Sequence, residues 1–388
     1  MTHARGRQFL HTPGPTVMPD RILRAMDRPA LDHRGAEFRN LADACFGGLK
    51  RVFQTESPVL IYPAAGHGAW EAALVNTCSP GDVVLMCETG AFSDWWKEMA
   101  EAFGITVEYL PGDWRHGADP DAVEAHLAED KARRIKAVAV VHNETSTGVL
   151  SRAAEIRHAI DNAGHPALFM LDVISSLASM DVRVDEWQVD VAVGGSQKGL
   201  MLPPGMSFTA VSEKAFRASQ SARQSRSYWD WTALLPDGRT PAFTCTPAIN
   251  LMFGLREAID MLTEEGLDNV FARHARLAEA VRRAVAAWGL ELWSADPREH
   301  SNSVSTILVP DGHDANALRA CCLDRFNVVL AGGLQRLNGK AFRIGHLGDL
   351  NEPMILGTLA TVEAALGATG IPHTKGGIVA AIDYLAGE

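Results

Sequence analysis

Two side chains of this 388-residue sequence, Asp172 and Lys198, fall just where short apolar runs end. Asp172 closes ALFMLD, and Lys198 follows VDVAVGGSQ further along the chain. In an open α/β sheet the crevice beyond the carboxyl ends of the strands is the usual ligand site, so both side chains can enter one pocket. A lysine amine there can form a Schiff base with a carbonyl compound. A carboxylate can keep a pyridine nitrogen protonated, which makes the ring an electron sink. The spacing alone fits equally an acidic strand end and a solvated lysine.

Three further motifs lie at similar places. In AAGHGAWEAAL, Ala65, Gly66 and His67 follow the strand-like VLIYP and precede a helical pattern. Small residues at such a turn let backbone N–H groups approach an anion, although simple turn geometry explains them too. The stretch lacks the third glycine of GxGxxG, and GGSQKGL has Gly where a Walker motif needs Ser or Thr. HNETSTG (142–148) places polar residues after IKAVAVV. In FRIGHLG, Arg343 interrupts an apolar run, where a guanidinium suits either a carboxylate ligand or an outward-facing edge. An imine-forming lysine, a pyridinium-stabilising acid, a phosphate cradle and a carboxylate clamp are together the inventory of a pyridoxal-phosphate enzyme acting on an amino acid.

The elements that must position these groups follow from periodicity. VLIYP, DVVLMC, ITVEYL, IKAVAVVH, ALFMLD, VDVAVGG and MSFTAVS read as buried strands separated by amphipathic helices, the pattern of a mainly parallel sheet covered on both faces. Beyond about residue 248, two long helical stretches precede three strand-like runs, and two helical patterns end the chain. The expected organisation is an α/β fold with an N-terminal arm (1–15), a large domain with a mainly parallel seven-stranded sheet (16–262) and a smaller C-terminal α+β domain (263–388). The 36 basic and 47 acidic side chains give a net charge of −11, which argues against nucleic acid or an anionic membrane as partner. No run is long enough to span a bilayer, no apolar leader opens the chain, and the six cysteines form no CxxC pair. The expectation is a cytoplasmic protein with free thiols and no metal.

GSQKGLMLPPG with LDVISS upstream, PGPTVMP near the start, HNETSTGV and FRIGHLGDLNE together resemble the class V aminotransferases, most closely the serine–glyoxylate and alanine–glyoxylate branch. The resemblance runs from Pro13 to the last helical patterns. It implies fold type I, pyridoxal 5'-phosphate and a homodimer with a shared active site, with higher oligomers left open. By similarity, Lys198 is the Schiff-base lysine and proton carrier, and Asp172 pairs with the pyridinium nitrogen. Phe92 stacks on the cofactor, Ile174 touches its other face and Thr145 bonds its phenolic oxygen. Ala65, Gly66, His67 and Gln197 contact the phosphate or ring, and Thr246 reaches a neighbour's phosphate. Arg343 binds the substrate carboxylate beneath the PGPT backbone, including Gly14 and Pro15.

Three departures from the family pattern bear on specificity: Ala65 where Ser is common, Cys245 where Tyr is common, and VVLAGGLQRL in place of FGTGL. The reaction implied is ping-pong transamination between L-serine and glyoxylate, giving hydroxypyruvate and glycine. Alanine or aspartate with glyoxylate, or pyridoxamine with pyruvate, are the alternatives within the family. A cysteine desulfurase would need a mobile thiol, yet Cys321 and Cys322 lie in a helical pattern, and a silent scaffold needs none of the site charges. SYWDWTALL, with Trp229 and Trp231, reads as subunit interface or as core, the interface being favoured.

Overall fold

The computed structural model describes residues 6–387. After β1 (Phe9–His11), the apolar runs become β2 (Val59–Tyr62), β3 (Val83–Cys87), β4 (Thr106–Leu110) and β5 (Ile135–Val141). A two-residue ladder of β6 (Asn143–Glu144) and β7 (Val149–Leu150) intervenes before β8 (Leu168–Asp172), β9 (Val191–Gly195) and β10 (Ser207–Val211). The main sheet has seven strands in the order β2-β10-β9-β8-β5-β3-β4. Its pairs are parallel except that β10 runs antiparallel to both neighbours.

Alternation along each strand divides the core. Val59 and Ile61 face one apolar cluster and Leu60 and Tyr62 the other; Leu85 and Val84 split in the same way. Both faces are therefore covered, which is why the strands read as unbroken apolar runs. Helices Ala36–Phe53 and Ile249–Glu265 cover one face, while Gly66–Thr77 and Ala91–Ala102 cover the other.

Past residue 300 the chain forms β11 (Val304–Leu308), β12 (Val328–Gly332) and β13 (Ala341–Gly345). A four-stranded sheet in the order β1-β12-β13-β11 results. The N-terminal arm is thus anchored at the far end of the sequence: β1 pairs in parallel with β12, Phe9 opposite Val328 and His11 opposite Leu330. Helices Leu267–Trp288, Ala315–Phe326 and Glu352–Ala368 pack on this sheet around Leu277, Val281, Leu318, Phe342 and Leu359. Cys322 is fully buried in that cluster and Cys321 packs half-buried beside it.

Both tryptophans of the aromatic segment pack on one of the two apolar clusters. Trp231 is fully buried and donates Nε1 to the Tyr62 hydroxyl at 2.8 Å, so it is core. Trp229 is half-buried, its Nε1 donating to Glu71 Oε1 at 2.9 Å. Among the described residues no helix is long and apolar enough to cross a membrane.

Candidate active site

Asp172 and Lys198 meet because β8 and β9 are neighbours, with Asp172 opposite Val193. Both side chains are buried. Asp172 Oδ1 accepts from the Ile174 amide at 2.7 Å and Oδ2 from Trp70 Nε1 at 2.9 Å. Burial outweighs these bonds and pushes the carboxyl up to about 7. For the Lys198 amine, burial and then the nearby Arg343 charge bring it down to about 8. Two neighbouring groups that titrate close to neutrality, one acid and one base, suit proton transfer.

The loop carrying Lys198 is tied to the sheet at both ends. The Ser196 amide donates to Met206 O at 3.0 Å, the Leu202 amide to Ser196 O at 3.1 Å, and Ser196 Oγ to Pro203 O at 2.7 Å. Met201 turns through a left-handed conformation, φ 59°. Gly199 makes the turn possible: a Cβ there would lie 2.3 Å from Leu177 O. Gly199→Ala is therefore expected to lower stability by about 1–3 kcal/mol, read as a fall in Tm, and to loosen the lysine; an unchanged Tm contradicts the packing argument.

Over the lysine runs the N-terminal strap. The Lys198 amine donates to the Pro13 carbonyl, and Thr16 Oγ1 donates to Lys198 O at 3.2 Å. At Gly14, φ 102°, a Cβ would collide with Lys198 Cδ at 2.5 Å, so only glycine fits. Pro15 is exposed at the outer edge. On its other side the strap rests on β13, where a Gly345 Cβ would meet Thr12 O at 2.3 Å. Lys198 and Arg343 are thus linked through one strap.

Arg343 is buried on β13. Nε donates to Gly332 O at 2.7 Å and Nη1 to Thr145 O at 2.8 Å. No carboxylate lies within salt-bridge distance among the described residues, and burial lowers the guanidinium to about 10. A cation held only by carbonyls in a dry site is a receptor for an anion.

Ala65 is the N-cap of helix Gly66–Thr77, and no side chain caps that end, leaving its first amides for a ligand. Gly66 lies against Ile174, whose Cδ1 would be 2.4 Å from a Cβ there; Ile174 also contacts Gly195. His67 is exposed, its ring 4.5 Å from that of Trp70. Phe92 stands edge-on to Trp70 and Trp95, with centroids at 6.3 and 5.0 Å. Thr145 Oγ1 donates to Ser175 Oγ at 2.8 Å. Gln197 Oε1 is buried without a partner. Thr246 is exposed on the segment before helix Ile249–Glu265, and no contact joins it to this cluster within the protomer.

Two participants carry no role in the sequence reading. Trp70 holds Asp172, four residues past Gly66 in the same motif, and Glu144 sits fully buried in HNETSTG. The divergent VVLAGGLQRL segment reaches helix Ala91–Ala102. Gln335, its amide turned to donate to Asp94 Oδ2 at 3.0 Å, accepts from Trp95 Nε1 at 3.3 Å. Arg336 pairs with Glu88 and lies 4.5 Å over the Trp114 ring.

The aminotransferase class V family model matches residues 9–337. The chain belongs to the class V aminotransferases. A serine–glyoxylate aminotransferase of Methylorubrum extorquens is 46% identical over 99% of this chain and 97% of the relative. An L-aspartate–glyoxylate aminotransferase of Paracoccus denitrificans is 42% identical over 95% and 93%. The crystal structure of the ureidoglycine–glyoxylate aminotransferase of Bacillus subtilis superposes with a TM-score of 0.92 at 28% identity, covering 100% of both chains.

Pyridoxal 5'-phosphate is the cofactor of this aminotransferase, and the residues present fit it. Asp172 is a buried carboxylate with no cation bonded to it, the orphaned Gln197 oxygen adjoins Gly195, and the uncapped amides after Ala65 suit a phosphate. The missing Ser hydroxyl at Ala65 leaves those amides as the anion donors of the turn.

Proposed function

We propose that the enzyme transfers the amino group of L-serine to glyoxylate, releasing hydroxypyruvate and glycine in two half-reactions at one site. The observation that carries the reading is Arg343, a buried guanidinium aimed by two carbonyls and facing no carboxylate of its own. Every substrate and product of this exchange has one carboxylate in common. The serine–glyoxylate relative, 46% identical, supports the choice of donor. L-Aspartate is the second reading, favoured by the 42% identical aspartate–glyoxylate relative.

In this reading Lys198 holds the cofactor through its amine and, once released, carries the proton away from the substrate Cα. The bound cofactor supplies an electron sink for that deprotonation. Asp172, kept in place by Trp70 and the Ile174 amide, keeps the ring nitrogen protonated. Phe92 and Ile174 face the ring, Thr145 bonds its phenolic oxygen, and Ala65, Gly66, His67 and Gln197 contact the phosphate or ring. The strap with Gly14 and Pro15 closes over the substrate. Thr246, exposed in the protomer, is the group by which a second copy reaches the cofactor, so a homodimer belongs to the reading.

Six unpaired cysteines support residence in the reducing cytosol. Burial pushes the thiols of Cys45, Cys78, Cys87 and Cys322 up to about 12, which removes these four as nucleophiles; of the other two, Cys321 packs half-buried on its helix and Cys245 is exposed. A division into a large domain (16–262) and a small one (263–388) has the support of two separate cores, although helix Leu267–Trp288 spans both, its Val270 joining the first and Leu277 the second.

Steady-state kcat/KM for L-serine, L-alanine and L-aspartate, each with glyoxylate, tests the donor. Serine is expected highest, and a preference for aspartate transfers the assignment to the second reading. Arg343→Lys is expected to raise KM for glyoxylate and donor together by about 10–100-fold, the loss of a bidentate charge-assisted contact worth ~1.5–3 kcal/mol. Unchanged KM values contradict the clamp.

A further inference from the structure

One buried charge has no part in the reaction scheme above. Glu144, in the short β6 strand, is fully buried, and no cation lies within salt-bridge distance of it among the described residues. Its oxygens are not idle. Oε1 accepts from the Ser146 amide at 3.0 Å, from Ser146 Oγ at 2.6 Å and from the Phe92 amide at 3.4 Å, while Oε2 accepts from the Ser93 amide at 3.2 Å. Ser146 Oγ itself accepts from the Ala91 amide at 3.0 Å. Three backbone amides thus point at the carboxyl, the arrangement that serves an ionised group. The N-terminal amides of helix Ala91–Ala102 face it, and their partial positive charge favours an anion. The chain around it is shaped to this contact: a Cβ on Gly90 would lie 2.4 Å from Glu144 Cγ, so the residue before the helix can only be glycine.

The same carboxylate is felt by three charges of the site. It raises the Lys198 amine and the Arg343 guanidinium, and it raises Asp172, each through space. Burial holds Glu144 itself above the usual carboxylate range, and the four hydrogen bonds offset that only in part. The charged groups that feel it through space are Asp172 at the end of β8, Lys198 after β9 and Arg343 on β13; beyond Ser93 lie Tyr109 and Asp94, which bond to each other at 2.7 Å.

We propose that Glu144 is a positioning residue that works through its charge: an ionised carboxylate that fixes the helix bearing Phe92 and serves as counter-ion to Lys198 and Arg343. It rests on the reading that places the cofactor at Lys198. Two acidic side chains, Asp172 and Glu144, then offset the two basic ones within the pocket before any ligand enters. The lysine is thereby kept able to take up a proton although it is buried, and the arginine keeps its charge without a direct partner to compete with the substrate. The two tasks belong together, because the helix that needs an anion at its start is the one that carries the aromatic ring beside Trp70.

The test uses the apoenzyme, so that it does not depend on turnover. Cyanate carbamylates only neutral amines, and its rate at Lys198 can be followed across pH by peptide mass mapping. Glu144→Gln keeps an acceptor oxygen and removes the charge. Its Lys198 profile is expected to move down by about one pH unit, so that carbamylation at pH 7 accelerates about fivefold. Glu144→Asp keeps the charge and is expected to retain the wild-type profile while binding added pyridoxal phosphate more weakly, since the shorter side chain reaches the helix less well. A Glu144→Gln profile that superimposes on wild type overturns the proposal. So does a Glu144→Asp profile that is displaced by about one unit, and this second arm stands if Glu144→Gln fails to fold. Borohydride treatment of the wild-type holoenzyme must label Lys198. A label elsewhere sinks the cofactor reading, whereas a label at Lys198 with unmoved profiles sinks only the role of Glu144.

Discussion

Lys198→Ala is expected to lower kcat by about 10⁴-fold or more, because in the proposed mechanism one substitution removes the cofactor's anchor and the proton carrier together. General acid–base assistance alone contributes about 10²–10⁴, and no other amine is placed to replace it: Arg343 is locked by Gly332 O and Thr145 O. The fold should not suffer. Burial has already brought the amine down to about 8, so its removal relieves a desolvated group. Kinetics with and without added methylamine, beside a thermal melt, separate the effects. The expected result is an inactive protein with an undiminished Tm and partial rescue by the small amine. Normal turnover would end the assignment.

Acidification is expected to have the second large effect, on stability. His11, His142 and His274 are buried and held down to about 4, and His346 to about 3, in each case mainly by desolvation. A histidine whose pKa is depressed on folding is neutral in the native protein while the unfolded chain already takes up protons. Stability is therefore intact above pH 6.5, falls as the pH drops from 6.5 towards 4, and reaches its full loss below that window. Asp172, raised to about 7, acts in the opposite direction because its native form binds the proton more readily. At pH 5 four histidines against one aspartate leave a net loss on the order of 5 kcal/mol, a large part of the 5–15 kcal/mol typical of a folded protein. Three of these rings adjoin the strap: His11 precedes it and bonds Gly345 O at 3.2 Å, His346 follows β13, and His274 Nε2 accepts from the Gly348 amide at 3.0 Å. The lysine's cover should thus loosen with the rest. Urea midpoints of the apoenzyme at pH 7 and pH 5 measure the effect, and equal midpoints contradict it.

The strands of the main sheet were legible in the sequence to within one or two residues because each is short, apolar and covered on both faces, as Val83–Cys87 and Leu168–Asp172 show. Positions at strand ends were legible for the same reason, so Asp172 and Lys198 could be paired before any coordinates. What the sequence conceals is long-range partnership. The pairing of Phe9 with Val328 joins opposite ends of the chain and follows from no local pattern. Trp70 and Glu144 act on Asp172 and on helix Ala91–Ala102, segments that only folding brings near. Trp231 looks like its neighbour Trp229 by type and spacing, yet only Trp231 is fully enclosed, with Tyr62 as its partner. For Thr246 the limit is different: the role proposed for it requires a second copy of the chain, and in the protomer it stands exposed.

An amino group is expected to pass from a small amino acid to glyoxylate through the site built around Lys198. Incubating the holoenzyme with nitrogen-labelled L-serine and unlabelled glyoxylate, and measuring the label in glycine by mass spectrometry, addresses it directly. Labelled glycine and hydroxypyruvate are expected in equal amounts, with no product from Lys198→Ala. Glycine without label, or hydroxypyruvate formed without matching glycine, would contradict it.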